Sequence, residues 1–187
     1  MQNTNRWDTR QLVTMALMAA LAALLSFVEI AIFPPAPFLK YDPSLVPSMV
    51  TGFAFGAGPG VLVGIVAALI HALITSNWIG AAINILVTFF FVAPAALIYK
   101  RNHTLVGGII GLIVGVILAM TAAILGNATI ALPFYYGGDI NQLVPIIIPI
   151  LVPFNLLKGG INSILTIIIY KTVSNLITPV KDQVKGK

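Results

Sequence analysis

Asn155, Lys158 and Asn162 lie in the apolar stretch "VPFNLLKGGINSIL" at spacings of i, i+3 and i+7, so a helix sets all three on one face. Lysine among Ile, Leu and Val across a membrane thickness costs about 2.5–3.5 kcal/mol on insertion scales. Two arrangements offset that cost. The lysine snorkels to the interface along its apolar stem, or the stripe lines a polar cavity. If this helix enters from the outer side near Leu151, Lys158 lies about 10 Å down at ~1.5 Å per residue. Three polar groups on one stripe favour the cavity. There the ammonium faces a ligand carboxylate or carbonyl, the acidic side chain of Asp42, or water held by Asn155 and Asn162.

A second constellation is "FPPAPFLKYDPSLVP", Phe33 to Pro47, with five prolines in fifteen residues. Such a segment cannot be a continuous helix; it is a stiff, extended loop. It carries Lys40, Tyr41 and Asp42 between aromatic and apolar residues, and reads either as an interfacial anchor or as a lid over an outward-facing pocket. His71, Asn84, Thr88, Thr121 and Asn127 are isolated polar residues in apolar runs, where a helix–helix hydrogen bond is the ordinary role. His71 has no evident acidic partner at depth. On the first apolar run, Ala16/Ala20 and Ala19/Ala23 are two overlapping small-xxx-small pairs, suited to internal helix packing or to a partner subunit's docking.

The absences are equally informative. No G-x-x-x-x-G-K-[ST] loop, HExxH pair or Ser/His/Asp set is present, so no catalytic residue is assigned. His71 and His103, 32 residues apart without carboxylates in pattern, make no metal site, and there is no cysteine. The expected set of cofactors is empty, and any energy for moving solute comes from elsewhere.

The elements that position these residues follow from composition. Of 187 residues, 59% are hydrophobic and 8% charged, with mean hydropathy +1.03. That excludes a soluble domain and gives an all-α integral membrane protein, in contact with lipid and multi-pass. The net charge of +5 sits in short clusters between apolar runs, a topology signal and not a nucleic-acid face. Runs at Leu12–Phe33, Ile79–Tyr99, Leu105–Leu132 and Leu151–Tyr170 reach the roughly 20 residues that cross a bilayer. Between the first two, Leu45–Thr75 is broken by "GAGPG" at Gly56 to Gly60, and reads as two short helices joined by a tight turn or one broken helix.

Charge separates those alternatives. With two crossings there, Arg6, Arg10, Lys100, Arg101, Lys171, Lys181, Lys185 and Lys187 share one side, eight of the ten cations. The positive-inside rule then gives six transmembrane helices with both termini cytoplasmic. Residues 1–10 form a cytoplasmic segment, 11–175 one six-helix domain, and 176–187 a basic cytoplasmic tail. Glu29, Asp42 and Asp139 fall near the opposite face, which needs a separate explanation because acidic residues carry little topological weight. No internal repeat marks an inverted-repeat transporter.

Four stretches, "FLKYDPSLVPSMVTGFAFGAGPGVLVG", "VAPAALIYK", "GNATIALPFYY" and "VPFNLLKGGINSIL", resemble in order the riboflavin-type S components of energy-coupling factor (ECF) vitamin transporters. The resemblance spans nearly the whole chain; its most specific pieces are "LK-x-D-x-S-x-x-P" and "PFN-x-x-KG". It implies a bacterial cell-membrane protein with an outward-facing vitamin pocket covered by the first loop. The implied partners are a transmembrane coupling protein (T component), docked through the alanine motif Ala16, Ala19, Ala20 and Ala23, and two cytoplasmic ATPases that use the ATP. By matching motifs, Lys40 and Asp42 fall in the lid, and Asn84, Asn127, Asn155 and Lys158 at or near the pocket. On the third helix Gly64, Ala67 and Ala68 stand where riboflavin-type members carry an acidic residue followed by Lys-Asn. Riboflavin, pantothenate, a pyridoxine or pyrimidine precursor and a corrinoid are therefore all candidate ligands. A stand-alone ion-coupled secondary transporter is the alternative function.

Overall fold

Gly56 turns the chain back on itself between two apolar helices, and the other helices are arranged around that hairpin. The computed structural model describes residues 7–34, 39–135 and 137–177. Helix α1 (Thr9–Leu25) starts at Asp8, whose carboxylate accepts from the Arg10 N–H at 2.7 Å. Helices α2 (Leu45–Phe55) and α3 (Ala57–Thr75) are joined by Gly56 alone, at φ +100°, a value that favours glycine. Their backbones cross at Gly52 and Gly60, where a Cβ on Gly60 would stand 2.6 Å from the Gly52 Cα. Of the two readings of Leu45–Thr75, the tight hairpin is the one observed.

Every residue of α2 from Leu45 to Phe53 is buried, because α1, α3, α4 and α6 surround it. Helix α4 (Trp78–Arg101) is capped by Asn77, which accepts from the Gly80 N–H at 2.8 Å. Helix α5 (Leu105–Tyr135) contains a π turn at Asn127–Ala131. It packs closely on α4: a Cβ on Gly111 or Gly115 would meet the Ala95 or Phe91 carbonyl at 2.7 or 2.6 Å. Helix α6 opens as Ile140–Ile146, passes through a π turn at Ile147–Leu151 and continues as Val152–Ile177.

Two expected boundaries are corrected. Helix α1 ends at Leu25 and not at Phe33, because Ser26 caps it and the chain then extends, pairing Ile30 with Tyr41 through two 2.8 Å backbone hydrogen bonds. Helix α6 begins eleven residues before Leu151, since Asp139 caps Asn141 and a π turn accommodates Pro145, Pro149 and Pro153. Segment 1–10 and tail 176–187, both expected to be cytoplasmic, fall mostly outside the described residues.

Among the described residues there is no strand beyond the Ile30–Tyr41 bridge. Helices α3, α4, α5 and α6 are long and apolar enough to cross a membrane, while α1 has 17 residues and α2 has 11. One end of the bundle gathers the close of α1, α3 and α5 and the start of α2, α4 and α6, and holds a cavity. The other end is packed with aromatic rings: Phe53 lies 4.6 Å from Tyr99, and the Tyr99 and Tyr170 hydroxyls are 3.5 Å apart.

Candidate ligand-binding site

The cavity has a volume of about 540 Å³, within the range of small-molecule sites, roughly 300–1,000 Å³. Two ion pairs lie along its lining. Lys158 on α6 donates to Asp42 Oδ2 at 2.8 Å, and each side chain is 12% exposed. Ser44 holds the other oxygen of Asp42 through its N–H at 3.1 Å and through its hydroxyl. Burial pushes the Asp42 carboxyl up, but the Lys158 charge and hydrogen bond, with the two bonds from Ser44, hold it below the ordinary carboxylate range. Lys40 bonds to Glu29, whose other oxygen lies 3.8 Å from His71 Nε2. His71 thus has an acidic neighbour, a glutamate from another element.

Acidic residues near this face are thereby explained. Glu29 and Asp42 neutralise the two cavity lysines, and Asp139 caps α6. Glu29 is a charged lining residue that the sequence alone left unassigned; its position opposite the charge bias was the available signal.

Residues 26–34 and 39–44 are tied to the helices at several points. Beyond the Ile30–Tyr41 bridge, the Tyr41 hydroxyl donates to Asn162 Oδ1 at 3.5 Å. Leu39 packs with Leu132, Leu143 and Leu151, and Phe33 meets Phe154 at 6.5 Å. Burial, with the Asp42 charge adding, pushes the Tyr41 phenol up to about 12.

The structure brings together Asn84, Asn127 and Asn155 along the lining. Asn127 and Asn155 each donate to the carbonyl four residues back, Ala123 and Leu151, both at 2.8 Å. Each bond lies at a π turn, and each leaves a carboxamide oxygen as an acceptor. Asn84 makes no hydrogen bond among the described residues, so its whole amide is available. Asn162 does not line the cavity: it is fully buried behind it, donating to the Lys158 carbonyl at 3.0 Å. Gly64, Ala67 and Ala68 of α3, with Ile83, Val87 and Phe154, supply an apolar part of the lining, and Thr88 of α4 lies among them. Among the described residues no group of three metal-ligating side chains occurs.

The alanine motif divides. Ala19 and Ala23 are buried with Met15 and Ala22 against Val63 and Ala67 of α3. Ala16 and Ala20 point outward, on an exposed face with Leu17 and Leu24.

This geometry has known counterparts. The model of the ECF transporter substrate-specific component family matches residues 10–170. The chain is 30% identical to the riboflavin transporter RibU of Staphylococcus aureus, over 92% of this chain and 95% of that one. It is 28% identical to RibU of Streptococcus thermophilus, over 91% and 85%. Among solved structures, it is similar to the S component of a bacterial ECF transporter, with 31% identity and a TM-score of 0.78 over 90% and 98% of the two chains. ThiT from Listeria monocytogenes shares the fold, at 20% identity and a TM-score of 0.65 over 90% and 97%.

Proposed function

The chain belongs to the substrate-specific components of ECF transporters, and on that footing we propose that the molecule it captures is riboflavin. It is a multi-pass bacterial membrane protein that captures a vitamin for uptake, and it is not an enzyme. The observation that carries the choice of vitamin is charge balance. Both cavity lysines are already paired, Lys158 with Asp42 and Lys40 with Glu29, so neither ammonium is left to select a carboxylate such as that of pantothenate. Three asparagines and an apolar α3 wall suit a neutral, flat, hydrogen-bonding ring system. The riboflavin transporters among its relatives support the same reading.

The chain crosses the membrane six times, with the cavity end outside and both termini cytoplasmic. Arg10, Lys100, Arg101 and Lys171 sit at the helix ends away from the cavity, as the positive-inside rule requires of the cytoplasmic side. Short α1 and α2 are completed by the loop they flank. The partners are a T component, met at the outward face of Ala16 and Ala20, and two ATPases that hydrolyse the ATP; this chain uses no cofactor. Reporter fusions after Arg101 and after Lys187 test the topology, and both should read cytoplasmic. Mass spectrometry of small molecules released from the purified, denatured protein tests the ligand. A flavin is expected; a carboxylated vitamin, or ATP-independent uptake by this chain alone in liposomes, would overturn the reading.

A further inference from the structure

Seven serine and threonine hydroxyls within the helices donate to the carbonyl four residues back: Thr14, Thr51, Thr75, Thr121, Thr129, Ser163 and Thr166. That is the usual way a hydroxyl is satisfied in an apolar helix. Ser48 on α2 and Thr88 on α4 make no such bond. Ser48 Oγ is fully buried and has no partner among the described residues. Thr88 is 2% exposed and lines the cavity. The two hydroxyls converge on one backbone position, Gly64 of α3. A Cβ there would stand 2.9 Å from Ser48 Oγ, 3.3 Å from Thr88 Oγ1 and 2.4 Å from Thr88 Cγ2. Glycine at 64 therefore seats the Thr88 methyl, and that seat fixes where the Thr88 hydroxyl sits at the cavity floor.

A buried hydroxyl without a partner is unfavourable, and natural structures keep few of them. Resting on the riboflavin reading above, we propose that Thr88 contacts the ligand at the cavity floor by binding a hydroxyl of the ribityl chain, with Ser48 as the positioning residue behind it. A ribityl hydroxyl can accept from Thr88 or donate to it, so it pairs whichever way the Thr88 hydroxyl turns, whereas a ring carbonyl pairs only when Thr88 donates. The Ser48–Thr88 bond, absent from this structure, would form as Thr88 turns to the ligand. The ring edge, with its carbonyls and N–H, matches the carboxamides of Asn84, Asn127 and Asn155 instead. In this chain Gly64 leaves the gap that Thr88 fills: any side chain there would displace Thr88.

Titration of the purified protein with riboflavin and with lumiflavin, which keeps the ring and lacks the ribityl chain, tests this. Thr88→Val preserves shape and removes the hydroxyl. It should weaken riboflavin about 3–10-fold, the worth of one neutral hydrogen bond, and leave lumiflavin unchanged. Ser48→Ala should weaken riboflavin by a smaller factor, roughly 2–5-fold, with no further loss in the Thr88→Val background. It should also raise the melting temperature of the protein without ligand, because an unsatisfied hydroxyl is gone. Equal losses for both flavins, unchanged riboflavin affinity in Thr88→Val, or a lower melting temperature in Ser48→Ala would overturn the inference. If the wild type binds neither flavin, it is the vitamin assignment that fails; the melting of Ser48→Ala, read without ligand, still decides whether the hydroxyl is unsatisfied.

Discussion

Lys158 and Asp42, 116 residues apart in the chain, meet at 2.8 Å where α6 passes the start of α2. The ion pair accounts for a lysine in an apolar helix without any ligand: the charge is neutralised from within the chain. It also ties the proline-rich loop to the last helix, so that the roof and one wall of the cavity are a single unit. A buried pair of this kind is weak evidence for net stability, but the loss of one member leaves the other charge stranded.

Asp42→Asn or Lys158→Met alone should therefore destabilise the protein by about 3–5 kcal/mol, while the double variant recovers most of the loss. Thermal melting in detergent of the two single variants and the double reads this directly. Additive losses would mean that the two side chains act independently.

Acid and alkali should each expose one residue of the loop. The Asp42 carboxyl is held below its ordinary value, so its contribution is present above the unfolded value and lost as pH falls through the folded one, below roughly pH 4. The Tyr41 phenol is raised from 10.0 to about 12, so its contribution is present below pH 10 and lost as pH rises towards the raised value. Melting profiles across pH should lose the acid limb in Asp42→Asn and the alkaline limb in Tyr41→Phe. Profiles that match the wild type at both ends would contradict the assignment.

The alanine motif should respond in two ways. Ala16→Trp and Ala20→Trp, on the exposed face, should keep the fold and vitamin binding and lose co-purification with the T component. Ala19→Trp and Ala23→Trp overfill the contact with α3 and should cost about 1–3 kcal/mol or more of stability. Normal complex assembly by both outward variants would show that the face meets lipid only.

Much of this was legible in the chain itself, where spacing is local. The i, i+3, i+7 stripe of α6, the turn at Gly56 and the paired alanines are all set by residues within a few positions of one another. Pairing across the bundle was not legible. Asp42 was one of three candidate partners for Lys158, and Glu29 was noticed only as an acid on the less basic side. Helix ends failed where one physical signal hid another. The apolar run beyond Leu25 reads as helix yet extends to pair with Tyr41, and α6 starts at Ile140, eleven residues before the Leu151 that opens its apolar run. The alanine pairs look equivalent in sequence because both faces of α1 are apolar; only the position of α3 separates them.

The most direct test of a charge-neutral cavity for a neutral vitamin is a calorimetric titration of the purified, ligand-depleted protein with riboflavin and, separately, with pantothenate. Saturable binding of one riboflavin per chain, with no heat from pantothenate, is the expected result. Saturable binding of pantothenate without riboflavin would contradict it, since a carboxylate would then have to displace Asp42 from Lys158.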